Sequence, residues 1–162
     1  MRELWLMRHG HAAPEDHRGD AARPLTPTGS HGVEQLARAL SRMGLRVDAV
    51  WHSPYRRAVE TAAIVATTVG CAQLLTQDEF TPHGSPAQVS RVLASSSVRR
   101  LLVVSHLPLL PAVCAELLGV PLRLDVTPGS VVQLSLVGSG AARGAAVLSG
   151  FFPAEAMACF GD

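Results

Sequence analysis

ELWLMRHGH (Glu3–His11) sets a run of apolar residues directly against an arginine, a glycine and two histidines. Glu3 to Met7 is short, continuously apolar after its first residue, and closed by Arg8-His9-Gly10. Such a run suits a buried strand that ends in a loop. Three readings of the histidines stand at this point. The pair, two residues apart, could ligate a metal; one could be a nucleophile; or both could be polar residues at a strand end.

Working outward, residues 11–25 are polar, hold two prolines and read as a loop. LTPTGSHGVEQLARALSRMG then begins a helix. Thr26 or Thr28 is its cap, Val33, Leu36, Ala37, Leu40 and Met43 form one apolar face, and Gly44 is the stop. VDAVWHS is a second strand. Pro54 is expected in the first turn of the next helix, PYRRAVETAAIVATTVG, which ends at Gly70. QLLTQ is a third strand, and SPAQVSRVLASS is a helix with Ser85 as N-cap and Pro86 at N1. RRLLVVSH is a strongly apolar strand and LPLLPAVCAELLG the helix after it. SVVQLSLVG and GAAVLSGFF form an antiparallel pair.

Strands alternating with helices imply an α/β fold, a three-layer sandwich with a mostly parallel central sheet flanked by helices. Residues 1–162 read as a single domain, without an internal repeat or linker. Three chemically loaded segments fall at strand C-termini: Arg8-His9, Ser53 to Arg57, and Ser105-His106. In open α/β sheets that edge is where ligands bind.

Bulk properties remove several classes. Hydrophobic residues are 48% and charged residues 17% of the chain, so a packed core is expected. A net charge of +1 gives no basic field for nucleic acid. Cys71, Cys114 and Cys159 are widely spaced, odd in number and without a CxxC pattern. That argues against a zinc knuckle or a disulfide framework and for a reducing cytoplasm. The N-terminus has no secretory leader pattern. The most apolar stretch, LLVVSHLPLLPAVCAELLGV, is broken by Ser105, His106, Pro108 and Pro111, so no membrane association is expected.

Arg8, His9, Arg57 and His106 taken together suit phosphoryl chemistry. Two guanidiniums make a fixed-charge fork for phosphate oxygens. A histidine beside a phosphate dianion has its pKa raised and adds a third positive charge. The remaining histidine, neutral, is a competent nucleophile near pH 7. The product is a phosphohistidine that water then cleaves. The arginines fill the electrostatic role that magnesium often plays, so neither metal nor other cofactor is expected.

MRHG after a strand, SPYRRAVETA at a strand-to-helix junction and VVSH at a later strand end together resemble the histidine phosphatase superfamily, which includes the phosphoglycerate mutases. RPLTPTG, FTPHG and VVSHLPLL are similar to the SixA-type phosphohistidine phosphatases. The resemblance runs from about residue 3 to about residue 118 and implies a phosphoglycerate mutase-like fold. It implies that His9 takes the phosphoryl group, that Arg8 and Arg57 bind it, and that His106 completes the pocket. Arg57, directly before Ala58, is the matching arginine, and Arg56 points away. His11 is then not a metal ligand. His11, His17, His31, His52 and His83 are expected at the surface, and Cys114 in the core.

The chain departs from the resemblance twice. His11 stands where SixA-type chains usually carry an acidic residue. Gly84-Ser85 stands where they often read Gly-Asp, which leaves the general acid unassigned; Asp78 and Glu79 are the carboxylates of that segment, and Glu79 is the candidate. A phosphoester needs its alkoxide protonated as it leaves. A phosphohistidine can leave as neutral imidazole if its other nitrogen already carries a proton, so weak provision of acid favours P–N bonds. The implied substrate is a phosphohistidine-bearing protein, with a histidine phosphotransfer domain as the partner the resemblance suggests. A general phosphomonoesterase for small phosphoesters and a non-catalytic phosphate-binding module are the alternatives.

Overall fold

The computed structural model describes residues 2–138 and 141–158. Cys159 and the last residues of the chain lie outside them. Six strands form one sheet: β1 (Arg2–Arg8), β2 (Ala49–His52), β3 (Leu74–Thr76), β4 (Arg100–Ser105), β5 (Val131–Leu136) and β6 (Ala146–Phe152). Their order across the sheet is β3-β2-β4-β1-β5-β6. The β3-β2-β4-β1 part is parallel, while β5 and β6 run antiparallel beside β1. The helices are α1 (Pro27–Arg42), α2 (Arg56–Val69), α3 (Pro86–Ser95), α4 (Leu109–Leu118) and α5 (Ala154–Ala158).

Side chains alternate across a strand, so a strand covered on both faces must be apolar at every position. That is why Leu4 to Met7 shows no alternation. Leu4 and Leu6, with Leu101 and Val103 of β4, pack against Val89 and Leu93 of α3 and Val113 and Leu117 of α4. Trp5 and Met7, with Leu102 and Val104, pack against Val33, Leu36 and Leu40 of α1 and Ala58, Ala62 and Val65 of α2. Helices therefore lie on both faces of the sheet, as expected. No helix among the described residues is long and apolar enough to cross a membrane.

Several local expectations change. Met43 is 62% exposed rather than on the apolar face, because α1 ends at Arg42 and the chain turns through Gly44 at φ +91°. Thr26 is the N-cap, its hydroxyl accepting the Gly29 N–H. Pro54 lies outside α2, since Tyr55 is the extended cap residue and its N–H is held by Ser53 Oγ at 3.2 Å. Ser85 occupies the N-cap position of α3 without making a side-chain cap bond. His52 is buried, not at the surface, with Nδ1 bonded to the Ser53 carbonyl at 2.9 Å. PAEAMA contributes α5, a helix not expected from the sequence, whose Met157 joins the α1–α2 core.

Parallel register brings the loaded segments to one edge. Arg8 pairs with Ser105, and His52 with Val104. The ladder continues one residue further, with His9 N–H bonded to the Ser105 carbonyl and Ser53 N–H to the Val104 carbonyl, both at 3.1 Å. The loop after β1 sits flat on the start of α1. A Cβ on Gly29 would meet the His11 carbonyl oxygen at 2.1 Å, so only glycine allows this approach. Gly29→Ala should therefore force backbone apart and destabilise the fold by about 1–3 kcal/mol, read as a lower urea midpoint. An unchanged midpoint would mean that α1 can slide away from the loop without loss.

Candidate active site

His9 follows β1, His106 follows β4, Arg8 is the last residue of β1 and Arg57 is in the first turn of α2. The sheet edge brings all four together. His9 and His106 face each other with ring centroids 4.9 Å apart. Arg57 donates from Nε to His9 Nε2 at 3.1 Å. The other imidazole nitrogen of His9, Nδ1, is 2.7 Å from the Gly10 carbonyl. A carbonyl only accepts, so Nδ1 carries the proton and Nε2 presents its lone pair. Gly10 is itself held by its N–H on Thr61 Oγ1 at 3.1 Å, and Thr61 donates to the Arg57 carbonyl at 2.7 Å.

His106 bonds through Nε2 to Ser53 Oγ at 2.7 Å, while its Nδ1 is buried without a protein partner. Tyr55 meets the His106 ring edge-on at 5.0 Å, and the Arg57 guanidinium lies 5.0 Å from the Tyr55 ring centroid. Arg8 is clipped by Nη1 to the Val126 carbonyl at 2.9 Å, and its Nε is also buried and unpaired. Unpaired buried polar groups are costly, and here two of them, Arg8 Nε and His106 Nδ1, belong to one constellation of cations and imidazoles.

Electrostatics hold both imidazoles neutral. Burial pushes His9 down, the Gly10 bond opposes this, and the Arg57, Arg8 and Arg23 cations push it further, to about 4. Burial likewise lowers His106, with His9, Arg57 and Arg8 adding to it and Asp20 opposing, to about 3. The free protein thus holds no imidazolium of the kind expected beside a phosphate dianion. The protein's own charges act the other way.

Asp20 was not singled out in the sequence. It lies in the loop between β1 and α1, yet meets Arg57 twice: its carbonyl accepts from Nη1 at 2.6 Å and its Oδ2 from Nη2 at 3.0 Å. Its Oδ1 accepts from Arg23 at 2.8 Å. No spacing rule joins residues 37 apart across a loop, a strand and a helix; only the mixed charge of HRGDAAR hinted at ion pairing. Arg56 turns away as expected, bonding Glu60 at 2.7 Å. Glu60 in turn holds the Leu25 N–H at 2.7 Å and so ties the same loop to α2.

Glu79 sits half-buried in a short 3-10 turn, Asp78–Phe80. The turn is fastened to the site edge by Ser105 Oγ donating to the Phe80 carbonyl at 2.7 Å. Among the described residues, no hydrogen bond or ion pair joins the Glu79 carboxylate to Arg8, His9, Arg57 or His106. His11, His17, His31 and His83 are exposed. Among the described residues no cluster of three or more His, Cys, Asp or Glu is placed to hold a metal ion. Cys114 is buried, with its thiol pushed up to about 12 by burial.

Residues 4–81 match the histidine phosphatase superfamily (branch 1). The phosphohistidine phosphatase SixA of Escherichia coli K12 is 32% identical over 144 residues, covering 85% of this chain and 88% of that protein. A SixA homolog from Haemophilus influenzae is 32% identical over 145 residues, covering 81% and 86%. The structure of a protein histidine phosphatase SixA complexed with tungstate superposes with a TM-score of 0.85 at 27% identity, covering 96% of this chain and 99% of that one.

The depressed imidazoles make stability depend on pH. Unfolded histidine titrates near ~6.5, above both folded values, so between there and about 4 the unfolded chain binds more protons. Stability present at neutral pH is therefore lost as pH falls through that window. The denaturant midpoint should drop between pH 7 and pH 4.5, and drop less steeply in His106→Gln. A midpoint independent of pH would show that these rings take up protons as readily in the folded as in the unfolded chain.

Proposed function

This chain belongs to the histidine phosphatase superfamily, and on that premise we propose that it is a phosphatase working through a phosphohistidine on His9, with phosphohistidine on a protein as its substrate. The observation that carries this reading is the state of His9. Its Nδ1 proton is committed to Gly10, and its Nε2 lone pair faces the Arg57 guanidinium. An approaching phosphoryl group takes over the Arg57 donor and exposes Nε2 for attack.

In the first step the Nε2–P bond forms as the bond from phosphorus to the leaving group breaks. Charge builds on the equatorial oxygens. Arg8, Arg57 and His106 bind those oxygens. The dianion favours the His106 imidazolium, in which both ring nitrogens carry protons: Nε2–H then donates to Ser53, and Nδ1–H, on the nitrogen unpaired in the free protein, donates to a phosphoryl oxygen. Two guanidiniums and an imidazolium supply the positive charge, so the step calls for no metal. In the second step water attacks phosphorus, the P–Nε2 bond breaks and its electron pair returns to Nε2. Because Nδ1 already holds a proton, His9 leaves as neutral imidazole and the water proton passes to the phosphate formed.

The same economy extends to the substrate. A phosphorylated histidine whose other ring nitrogen already carries a proton departs as neutral imidazole without a further acid, whereas an alkyl phosphate needs one. For an ester we assign that role to Glu79, whose neighbour Phe80 accepts through its carbonyl from Ser105, the residue before His106. The 32% identity to SixA proteins supports the P–N reading. We place the work of this enzyme in the cytoplasm, on a phosphohistidine-bearing partner such as a phosphotransfer domain. The buried, unreactive Cys114 and the absence of a disulfide among the described residues fit that compartment.

The test uses EDTA-treated protein with a phosphohistidine-bearing phosphotransfer protein and with p-nitrophenyl phosphate. Turnover should favour the phosphoprotein, and His9→Ala should abolish it. Arg57→Lys should lower kcat/KM by about 10²–10³, because a point charge does not reproduce the guanidinium fork. Faster ester hydrolysis would make this a general phosphomonoesterase. Phosphate binding without turnover of either substrate would make it a binding module.

A further inference from the structure

Resting on the P–N reading above, the surroundings of Asp20 indicate how the enzyme discriminates among leaving groups. Arg57 is buried, with a side chain only 5% exposed, while the Asp20 side chain bound to it is 40% exposed. His9 meets the guanidinium at Nε and Asp20 meets it at both terminal nitrogens. Asp20 thus stands on the solvent side of Arg57, at the mouth of the site. In an in-line displacement the leaving group is opposite the nucleophile, which here is the same outer side.

The loop carrying Asp20 is held firmly. Arg23 grips Asp20 Oδ1 with Nη1 at 2.8 Å and the Ala13 carbonyl with Nε at 2.6 Å. Glu60 holds the Leu25 N–H. These contacts give the RPL segment a structural purpose, since they fix a carboxylate on the outer side of Arg57. With two guanidiniums donating to it, the carboxylate has no proton of its own to give. Burial alone would raise its pKa, but Arg23 and Arg57 outweigh this and hold it below the usual carboxylate range. Its oxygens still have acceptor capacity beyond those two bonds.

We propose that Asp20 selects the leaving group by binding the substrate ring in its protonated, phosphoimidazolium form and accepting the N–H on the ring nitrogen opposite the phosphorylated one. In this step His9 Nε2 bonds to phosphorus and the P–N bond to the substrate ring breaks. The electron pair goes to the freed ring nitrogen, and the other nitrogen keeps its proton on Asp20. The ring leaves as neutral imidazole and no proton is transferred. An alkoxide or phenolate departing along the same path meets a negative charge instead. Asp20 is therefore a specificity residue for P–N substrates and not an acid for esters.

The experiment compares kcat/KM for N-phosphoimidazole and for p-nitrophenyl phosphate in wild type, Asp20→Asn and Asp20→Glu. Asparagine keeps a carbonyl oxygen for Arg57 and removes the charge. The ratio of P–N to ester turnover should fall about tenfold or more in Asp20→Asn, equivalent to about 1.4 kcal/mol, and recover in part in Asp20→Glu. Equal losses on both compounds would overturn the proposal, leaving Asp20 as a support for Arg57 alone, and so would an unchanged ratio. Wild type acting on N-phosphoimidazole but not on a phosphohistidine protein would instead refute the protein-substrate reading and leave the Asp20 result standing.

Discussion

The buried guanidinium of Arg57 is the constraint around which this site is organised. A charge this far from water is tolerated only if paired and hydrogen-bonded. Arg57 meets that demand with three partners from two separate parts of the chain: His9 Nε2, the Asp20 carbonyl and the Asp20 carboxylate. Each partner is thereby given a defined state. His9 must offer a lone pair at Nε2, hence its proton rests on Nδ1 against Gly10. Asp20 must be ionised, hence the loop between β1 and α1 is drawn over the sheet edge.

Rigid elements support that arrangement. The β1–β4 ladder ends with the His9 N–H on the Ser105 carbonyl, which sets the two imidazoles side by side. The loop from His9 to Thr26 is pressed on α1 through Gly29 and tied to α2 through Glu60. The two hydrophobic layers that clamp β1 and β4 leave the edge little freedom to move. His9 is thus positioned by backbone hydrogen bonds, and its ionisation is set by burial and neighbouring cations.

A common principle links the two half-reactions. In the P–N reading proposed above, an imidazole is the group that departs from phosphorus in each, and in each it departs neutral if its distal nitrogen keeps a proton on a fixed acceptor. For His9 that acceptor is the Gly10 carbonyl. For the substrate ring, Asp20 offers the equivalent. Such a site has less need of a proton donor than one built for alkyl esters, which accords with the lack of any bond between the Glu79 carboxylate and the four central residues among those described.

The order of strands and helices, the buried character of β1 and β4, and the convergence of Arg8, His9, Arg57 and His106 were all legible in the sequence. Each rests on a local pattern: an apolar run closed by glycine, a cap followed by a helical period, a charged group at a strand end. Local patterns are short-range statements about backbone geometry and side-chain polarity, and they survive folding. Other features were illegible for the same reason. His52 looks like a surface histidine in sequence but is covered by its neighbours. Met43 fits the helical period but lies past the helix end. Above all, the pairing of Asp20 with Arg57, and with it the ionisation of His9, exists only because loop, strand and helix meet in space. Sequence determined which chemical groups were available and at which strand ends they stood. Tertiary structure decided which of them touch, because burial and charge pairing are properties of the assembled neighbours and not of the chain order.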